Sequence, residues 1–315
     1  MNALEKGCCK ATLLCFKLLF LRRMKIFKFK IANISVVGLA LTLGVILITS
    51  QSLRAQQMIC CQMQPQQIST TSFFTDPNFM AAHESPMPFE YKSEHGKFVT
   101  FKTATGADAR GFLIKSSHKT HKVLLVFQEW WGVNGYIQLE AERLQKKLGN
   151  VDVMAVDLYD GEVAKNADEA SKLVNGVKAE RLREIIQGVI DHFGTGHTFE
   201  TLGWCFGGGW SLQAAIMAGE KCTGCVIYYG ATETDPAKLA KLHAPVLGMY
   251  GTLDKWLTPT VTATFDSAMQ AAGKTLTLKS FAADHAFANP SNPHYNAEAK
   301  TEADLLAVEF LKAHL

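Results

Sequence analysis

Residues 95–315 predict an α/β domain with a mostly parallel central sheet of about eight strands and helices on both faces. Short apolar runs alternate with longer amphipathic ones, and no internal repeat or change of composition interrupts them. The strand-like runs are 98–102, 111–114, 123–127, 151–156, 201–204, 225–229, 246–250 and 276–281. Helical patterns fill 138–148, 168–177, 181–193, 208–218, 260–272 and 297–313. No helical pattern separates the first two strands, so they are expected to form an antiparallel edge.

The chain divides before that domain begins. The formal charge of +3 conceals an imbalance: residues 1–55 hold nine Lys or Arg and one acidic residue, and the other 260 residues are net acidic. An acidic body offers no electrostatic footprint for nucleic acid. Residues 1–55 read as a signal peptide or an N-terminal membrane anchor. Met24 is a second candidate start, which would make 1–23 a mis-assigned extension. After it, Lys25, Lys28 and Lys30 lead into an apolar run over 31–48, and small and polar residues end at Ala55. The expectation is a secreted or periplasmic protein that touches a membrane only through this segment. Residues 56–94, with Gln-rich and Pro-containing stretches, read as a polar linker or loosely docked arm.

Five cysteines follow Ala55, an odd number that leaves at least one free thiol. Cys222 and Cys225 have redox or metal-ligand spacing but lack a second pair or nearby histidines, so Cys225 reads as a buried thiol. Cys60 and Cys61 receive no role.

Gly203-Trp204-Cys205-Phe206-Gly207, followed by Gly208 and Gly209, has the form glycine-x-nucleophile-x-glycine between a strand and a helix. That is the context of a nucleophile elbow, a strained turn that presents its central side chain at the helix N-terminus. Taken alone, a cysteine in a glycine-rich turn is more often buried structure. Two later signals change the balance. The strand at 246–250 ends in Gly251-Thr252-Leu253-Asp254, and the strand at 276–281 ends in Ala282-Ala283-Asp284-His285. Nucleophile, acid and histidine therefore follow one another in the order such a triad requires, each in a loop at a strand's carboxyl end. Asp284 competes for the acid's role, but adjacent side chains diverge, which favours Asp254. Asp157 precedes the nucleophile and falls outside the order. The remaining histidines show no H-x-x-x-H pair, and no metal or organic cofactor is expected.

Gly203-Trp204-Cys205-Phe206-Gly207-Gly208, Gly251-Thr252-Leu253-Asp254 and Asp284-His285-Ala286-Phe287 resemble the dienelactone hydrolases, or carboxymethylenebutenolidases, as do Gln128-Glu129-Trp130-Trp131-Gly132 and Asp157-Leu158-Tyr159-Asp160-Gly161. The resemblance spans 95–315 and implies an α/β-hydrolase fold. It further implies a hydrolase of ester or lactone bonds with Cys205 as nucleophile, His285 as base and Asp254 as orienting acid. Glu129 would contact the resting cysteine and help to generate the thiolate. The amides of Phe206 and Trp130 would form the oxyanion hole, and Trp131 and Tyr159 would line the pocket. One departure stands out. Where the best-known members carry an arginine for the substrate carboxylate, this chain reads Ala286-Phe287-Ala288-Asn289-Pro290, with no Lys or Arg before Lys300. The expected partner is a small-molecule ester or lactone, and a monomer is favoured. A broad carboxylesterase or thioesterase on the same triad, or a non-catalytic binding protein, are the alternatives.

Overall fold

The computed structural model describes residues 73–315; the leader, Cys60 and Cys61 lie outside the described residues. Eight strands form one sheet: β1 (Gly96–Lys102), β2 (Asp108–Ile114), β3 (Lys122–Phe127), β4 (Asp152–Val156), β5 (Thr198–Trp204), β6 (Cys222–Tyr228), β7 (Val246–Gly251) and β8 (Leu276–Phe281). Their spatial order is β1-β2-β4-β3-β5-β6-β7-β8. β1 and β2 pair antiparallel, β2 meets β4 antiparallel, and every pairing from β4–β3 to β7–β8 is parallel. The predicted antiparallel edge and parallel body are both present. Parallel pairing puts the carboxyl ends of β3 to β8 along one rim, where α/β sheets gather their functional groups.

The long helices are α2 (Gly135–Leu148), α3 (Ala167–Gly176), α4 (Ala179–Phe193), α5 (Phe206–Ala218), α7 (Pro259–Ala271) and α8 (Ala297–His314). Side-chain caps start several of them: Asn134 accepts from the Ile137 amide, Thr258 from Val261 and Asn296 from Ala299. On β6, neighbouring residues face opposite layers. Position 224 faces Phe310 and His314 of α8, whereas the Cys225 thiol meets Ser211 of α5 at 3.6 Å. So α8 and α5 cover opposite faces, with the apolar β3–β7 strands between them.

The structure adjusts several boundaries and adds two short helices, α1 (Pro77–Ala81) and α6 (Pro236–Leu239). Both open on an Asp-Pro step whose aspartate caps the first turn. β6 begins at Cys222 rather than Cys225, and a register shift against β5 lies between the two cysteines, which both sit beside the Thr201 side chain. Both are buried and free, so their spacing serves neither a disulfide nor a shared metal. Residues 73–83, read above as part of a linker or loosely docked arm, are packed in: Phe74 and Phe79 have no exposed surface. Among the described residues no helix is long and apolar enough to cross a membrane.

One polar residue lies deep in the sheet. Glu200 on β5 pairs with Gly224, is fully buried beneath α8, and neither carboxylate oxygen has a hydrogen-bond partner. Burial pushes its pKa from 4.5 up to about 9, with Lys122 opposing only in part. A folded-state pKa above the unfolded value means stability is greatest below the unfolded pKa and is lost as pH rises towards the folded one. The melting temperature should therefore fall between about pH 5 and about pH 9, and Glu200→Gln should flatten that fall. An unchanged slope in the variant would show that Glu200 is already ionised in the native state.

Candidate active site

The turn that joins β5 to α5 sets the geometry. Cys205 caps α5 with φ +53° and ψ −115°, a conformation that strains any residue with a side chain. Close approach explains the glycines around it. A Cβ at Gly203 would stand 2.1 Å from the Gly207 carbonyl oxygen, and one at Gly207 would stand 2.3 Å from the carbonyl oxygens of Phe127 and Gln128. The elbow is thus pressed against the end of β3, with the Cys205 amide donating to the Tyr228 carbonyl at 3.0 Å.

Two neighbouring loops bring Asp254 and His285 to this thiol. The His285 Nε2 lies 3.3 Å from Cys205 Sγ, and His285 Nδ1 lies 2.7 Å from Asp254 Oδ2. The second oxygen of Asp254 accepts the amides of Trp256 and Leu257 at 2.8 and 2.9 Å, so one carboxylate anchors its own loop and the imidazole together. Asp284 turns away from the ring; it accepts the backbone amide of His285 and lies 3.7 Å from His294. Asp157 accepts the Tyr159 amide and pairs with Arg110, which makes it a brace for the loop after β4.

Backbone strain concentrates here. Among the described residues, those other than glycine with positive φ are Asp160, Cys205, Tyr229 and Ala286, each in a segment that follows a strand's carboxyl end. Tyr229 is one that the sequence did not single out. From the end of β6 its hydroxyl donates to Glu129 Oε1 at 3.2 Å, and its ring lies against His285 with centroids 5.2 Å apart. The Asn289 amide donates to Glu129 Oε2 at 2.5 Å. Glu129 is therefore held by Tyr229 and Asn289, close enough to Cys205 for its charge to act on the thiol. Asn289 stands in the stretch where that resemblance called for an arginine.

Burial dominates the electrostatics. It raises the Cys205 thiol, against the pull of His285 and the Phe206 amide. Burial also opposes the imidazolium of His285, but Asp254 and the Cys205 sulfur outweigh it and lift its pKa well above the usual range. Burial acts against the Asp254 carboxylate as well; His285 and the two loop amides reverse this and hold its pKa low. Glu129 is different: burial raises it to about 7, although His285, Tyr229 and Asn289 all favour its charged form.

Beside Glu129 opens a cavity of about 60 Å³, lined mainly by Trp131, Tyr136, Ile137, Trp204, Tyr229 and Pro290. Lys300 also reaches it, yet that ammonium is already engaged by Asp304 at 2.6 Å and Glu140 at 3.4 Å. Tyr159 stacks on Phe206 with centroids 5.6 Å apart, and its hydroxyl has no partner. Sequence reasoning also passed over Trp256, Phe73, Phe74, Phe79 and His83, all packed around His285 or the elbow. The adjacent Phe73 and Phe74 in an otherwise polar stretch were the available signal. Among the described residues no three His, Cys, Asp or Glu come together in a way that could hold a metal ion.

A mostly parallel eight-stranded sheet with an elbow between its fifth strand and the following helix, faced by acid and histidine loops, defines an α/β-hydrolase. The sequence matches the dienelactone hydrolase family over residues 109–315, and the chain belongs to that family. A protein of Aquifex aeolicus assigned as a carboxymethylenebutenolidase is 24% identical over 232 residues, covering 70% of this chain and 99% of its own. Among solved structures, a dienelactone hydrolase-like promiscuous phosphotriesterase from metagenomic libraries matches with a TM-score of 0.61 at 18% identity, covering 70% of this chain and 99% of that one. The dienelactone hydrolase of Anabaena variabilis matches with a TM-score of 0.52 at 21% identity, covering 70% and 98%.

The electrostatics of Glu129 carry a signed prediction. Above about pH 7 its carboxylate is anionic and opposes a thiolate at Cys205; below that it is neutral and does not. Glu129→Gln should therefore leave iodoacetamide labelling of Cys205 unchanged below about pH 6 and speed it above about pH 7. Superimposable pH profiles would remove Glu129 from the electrostatics of the thiol.

Proposed function

We propose that this protein hydrolyses neutral esters or lactones through a Cys205 thioester, with His285 as acid–base and Asp254 as its orienting partner. The observation that carries this reading is the continuous path from Asp254 to His285 to Cys205, at 2.7 and 3.3 Å, ending on a strained elbow. A buried structural cysteine requires neither that backbone nor that imidazole.

The chemistry follows from the positions. His285 takes the thiol proton, and Glu129, its pKa near neutrality, sets the charge beside the thiol. Sulfur attacks the carbonyl carbon, a C–S bond forms, and the carbonyl electron pair moves onto oxygen. Amides of Phe206 and Trp130 are the proposed donors to that oxyanion. When the pair returns, the C–O bond breaks and the leaving oxygen takes the proton from His285. His285 then deprotonates water, which attacks the thioester; the C–S bond breaks and the thiolate is reprotonated. A thiolate is itself a good leaving group, so the first intermediate partitions forward best with an enol-type or otherwise activated leaving oxygen.

The surroundings favour an uncharged substrate. Aromatic and aliphatic side chains dominate the walls of the cavity beside Glu129, and Lys300, the one cation among the described residues that line it, is shared by two carboxylates. A substrate carboxylate placed there would lie near Glu140, Asp304 and Glu129 without a free positive partner, which is costly in a buried site.

Residues 24–55 are further proposed as an export signal, on the basic, apolar and small-residue pattern given above. Expression of the full chain in a Gram-negative host should place a mature form with a new N-terminus near Gln56 beyond the inner membrane; uncleaved chain confined to the cytosol would contradict this.

The catalytic reading is tested with p-nitrophenyl esters and lactones, neutral and carboxylate-bearing. Cys205→Ala should reduce turnover by about 10³-fold or more with little change in melting temperature, and Cys205→Ser should keep only a small residue. Full activity in Cys205→Ala ends the proposal, and a preference for carboxylate-bearing substrates ends the assignment of substrate charge.

A further inference from the structure

The catalytic groups are shut in. Cys205 and His285 are each 2% exposed, and besides Tyr229 and Trp256 the rings that cover them come from the arm that precedes the sheet. Phe73 and Phe79 lie against the His285 ring with centroids 6.4 and 5.5 Å away, and His83 lies 5.6 Å from the same ring. Phe74 goes deepest. It stacks on Trp130 at 6.1 Å and meets Phe206 edge-on at 5.8 Å, the two residues whose amides are the proposed oxyanion donors. The arm begins ahead of Ala109, where the family match starts, so this cover is outside the matched span.

What lies beneath the arm distinguishes it from ordinary core. The Trp130 indole nitrogen and the Tyr159 hydroxyl beneath it, and His83 Nε2 at the end of the arm itself, are buried without a hydrogen-bond partner. His83 donates from Nδ1 to the Phe79 carbonyl at 2.7 Å, and burial lowers its pKa to about 3, so the ring is neutral and Nε2 is a bare acceptor. A packed core leaves few such atoms unsatisfied, because each costs free energy. Unpaired donors and an acceptor around this thiol mark a place suited to a group that carries polar atoms as well as a flat ring, which the Phe74 side chain does not. The arm is also tied in part by peripheral contacts. Ser171 Oγ donates to the Phe74 carbonyl at 3.0 Å, and Trp256 Nε1 donates to Asp76 at 3.4 Å.

We propose that residues 73–83 form a lid on the active site, in which Phe74 occupies the berth of the substrate's flat, uncharged acyl group. Opening the lid exposes Cys205 and frees the faces of Trp130 and Phe206. An aromatic acyl group then replaces the Phe74 ring between them, and polar atoms of the substrate reach the unpaired groups at the edge. This rests on the proposed function for the identity of the acyl group. The lid itself is tested through the thiol alone, without turnover.

The test compares two alkylating probes on the full chain, iodoacetamide and its N-phenyl derivative, by mass spectrometry of the Cys205 peptide. Loss of the buried ring in Phe74→Ala should raise labelling by iodoacetamide about tenfold through a larger open population. Labelling by the phenyl probe should rise by several times more, because its ring takes the vacated berth. Ser171→Ala, which keeps Phe74 but removes a tie to its backbone, should raise both rates by about threefold. Unchanged rates in both variants would make the arm a fixed structural element and overturn the lid. Equal gains for the two probes would leave no aromatic berth and overturn the acyl-site assignment. If the gains appear but no ester is hydrolysed, the lid stands and the proposed function falls.

Discussion

The pressure of the Cys205 elbow against the end of β3 is the constraint on which the rest of the rim depends. A non-glycine residue at φ +53° carries a strain of about 1–3 kcal/mol, and it persists only where its surroundings allow no alternative. Those surroundings are explicit. The Cys205 amide is bonded to β6, its carbonyl accepts the Gly208 and Gly209 amides of α5, and Gly203 and Gly207 touch backbone where any side chain would collide. Because the sheet is parallel, the same rim receives the loops of Glu129, Asp254 and His285, and no long-range rearrangement is needed to bring them together.

Two buried carboxylates near one imidazole then take opposite characters. Asp254 accepts two amides and the ring, so its anion is held by donors that the loop fixes in place. Glu129 has a phenol and an amide as donors, both neutral, and its pKa rises to about 7. Groups whose environments push their pKa values apart divide acid–base work between them. Asp254 suits permanent orientation of His285, and Glu129 suits holding or releasing a proton near neutral pH. Asn289 contributes to this difference. A cation in its place would favour the anionic form of Glu129 and lower that pKa.

Much of this was legible in the sequence because it is written in local patterns. The strand and helix periods gave the sheet, and the glycine spacing gave the elbow before any partner was known. The order of Cys205, Asp254 and His285 then identified the rim. Boundaries moved where caps lie outside the periodic residues, as at Asn134, or where a strand continues through polar positions, as at Thr198 to Glu200. Tyr229 and Asn289 were missed for a different reason: their roles come from contacts across 100 and 160 residues to Glu129, and neither sits in a recognisable motif. The arm was misjudged on average composition. Its glutamines and prolines outweighed two adjacent phenylalanines, although those two rings bury themselves over the site. The short helix that follows them starts with the same Asp-Pro step as α6, a signal that periodicity over longer windows averages away.

The covered site imposes a condition on its own chemistry. Excluding water strengthens every interaction of an oxyanion with fixed donors, and cover of this kind also keeps oxidants from the thiol. Yet thioester hydrolysis needs a water molecule beside His285, whose ring is enclosed by Phe73, Phe79, His83, Trp256 and Tyr229. With the proposed lid closed throughout, neither acylation nor hydrolysis of the thioester could proceed. Both half-reactions therefore require the arm to open, the first to admit the acyl group and the second to admit water. The unpaired polar atoms at Trp130, Tyr159 and His83 lower the cost of that second opening, since each gains a hydrogen bond from the water that enters.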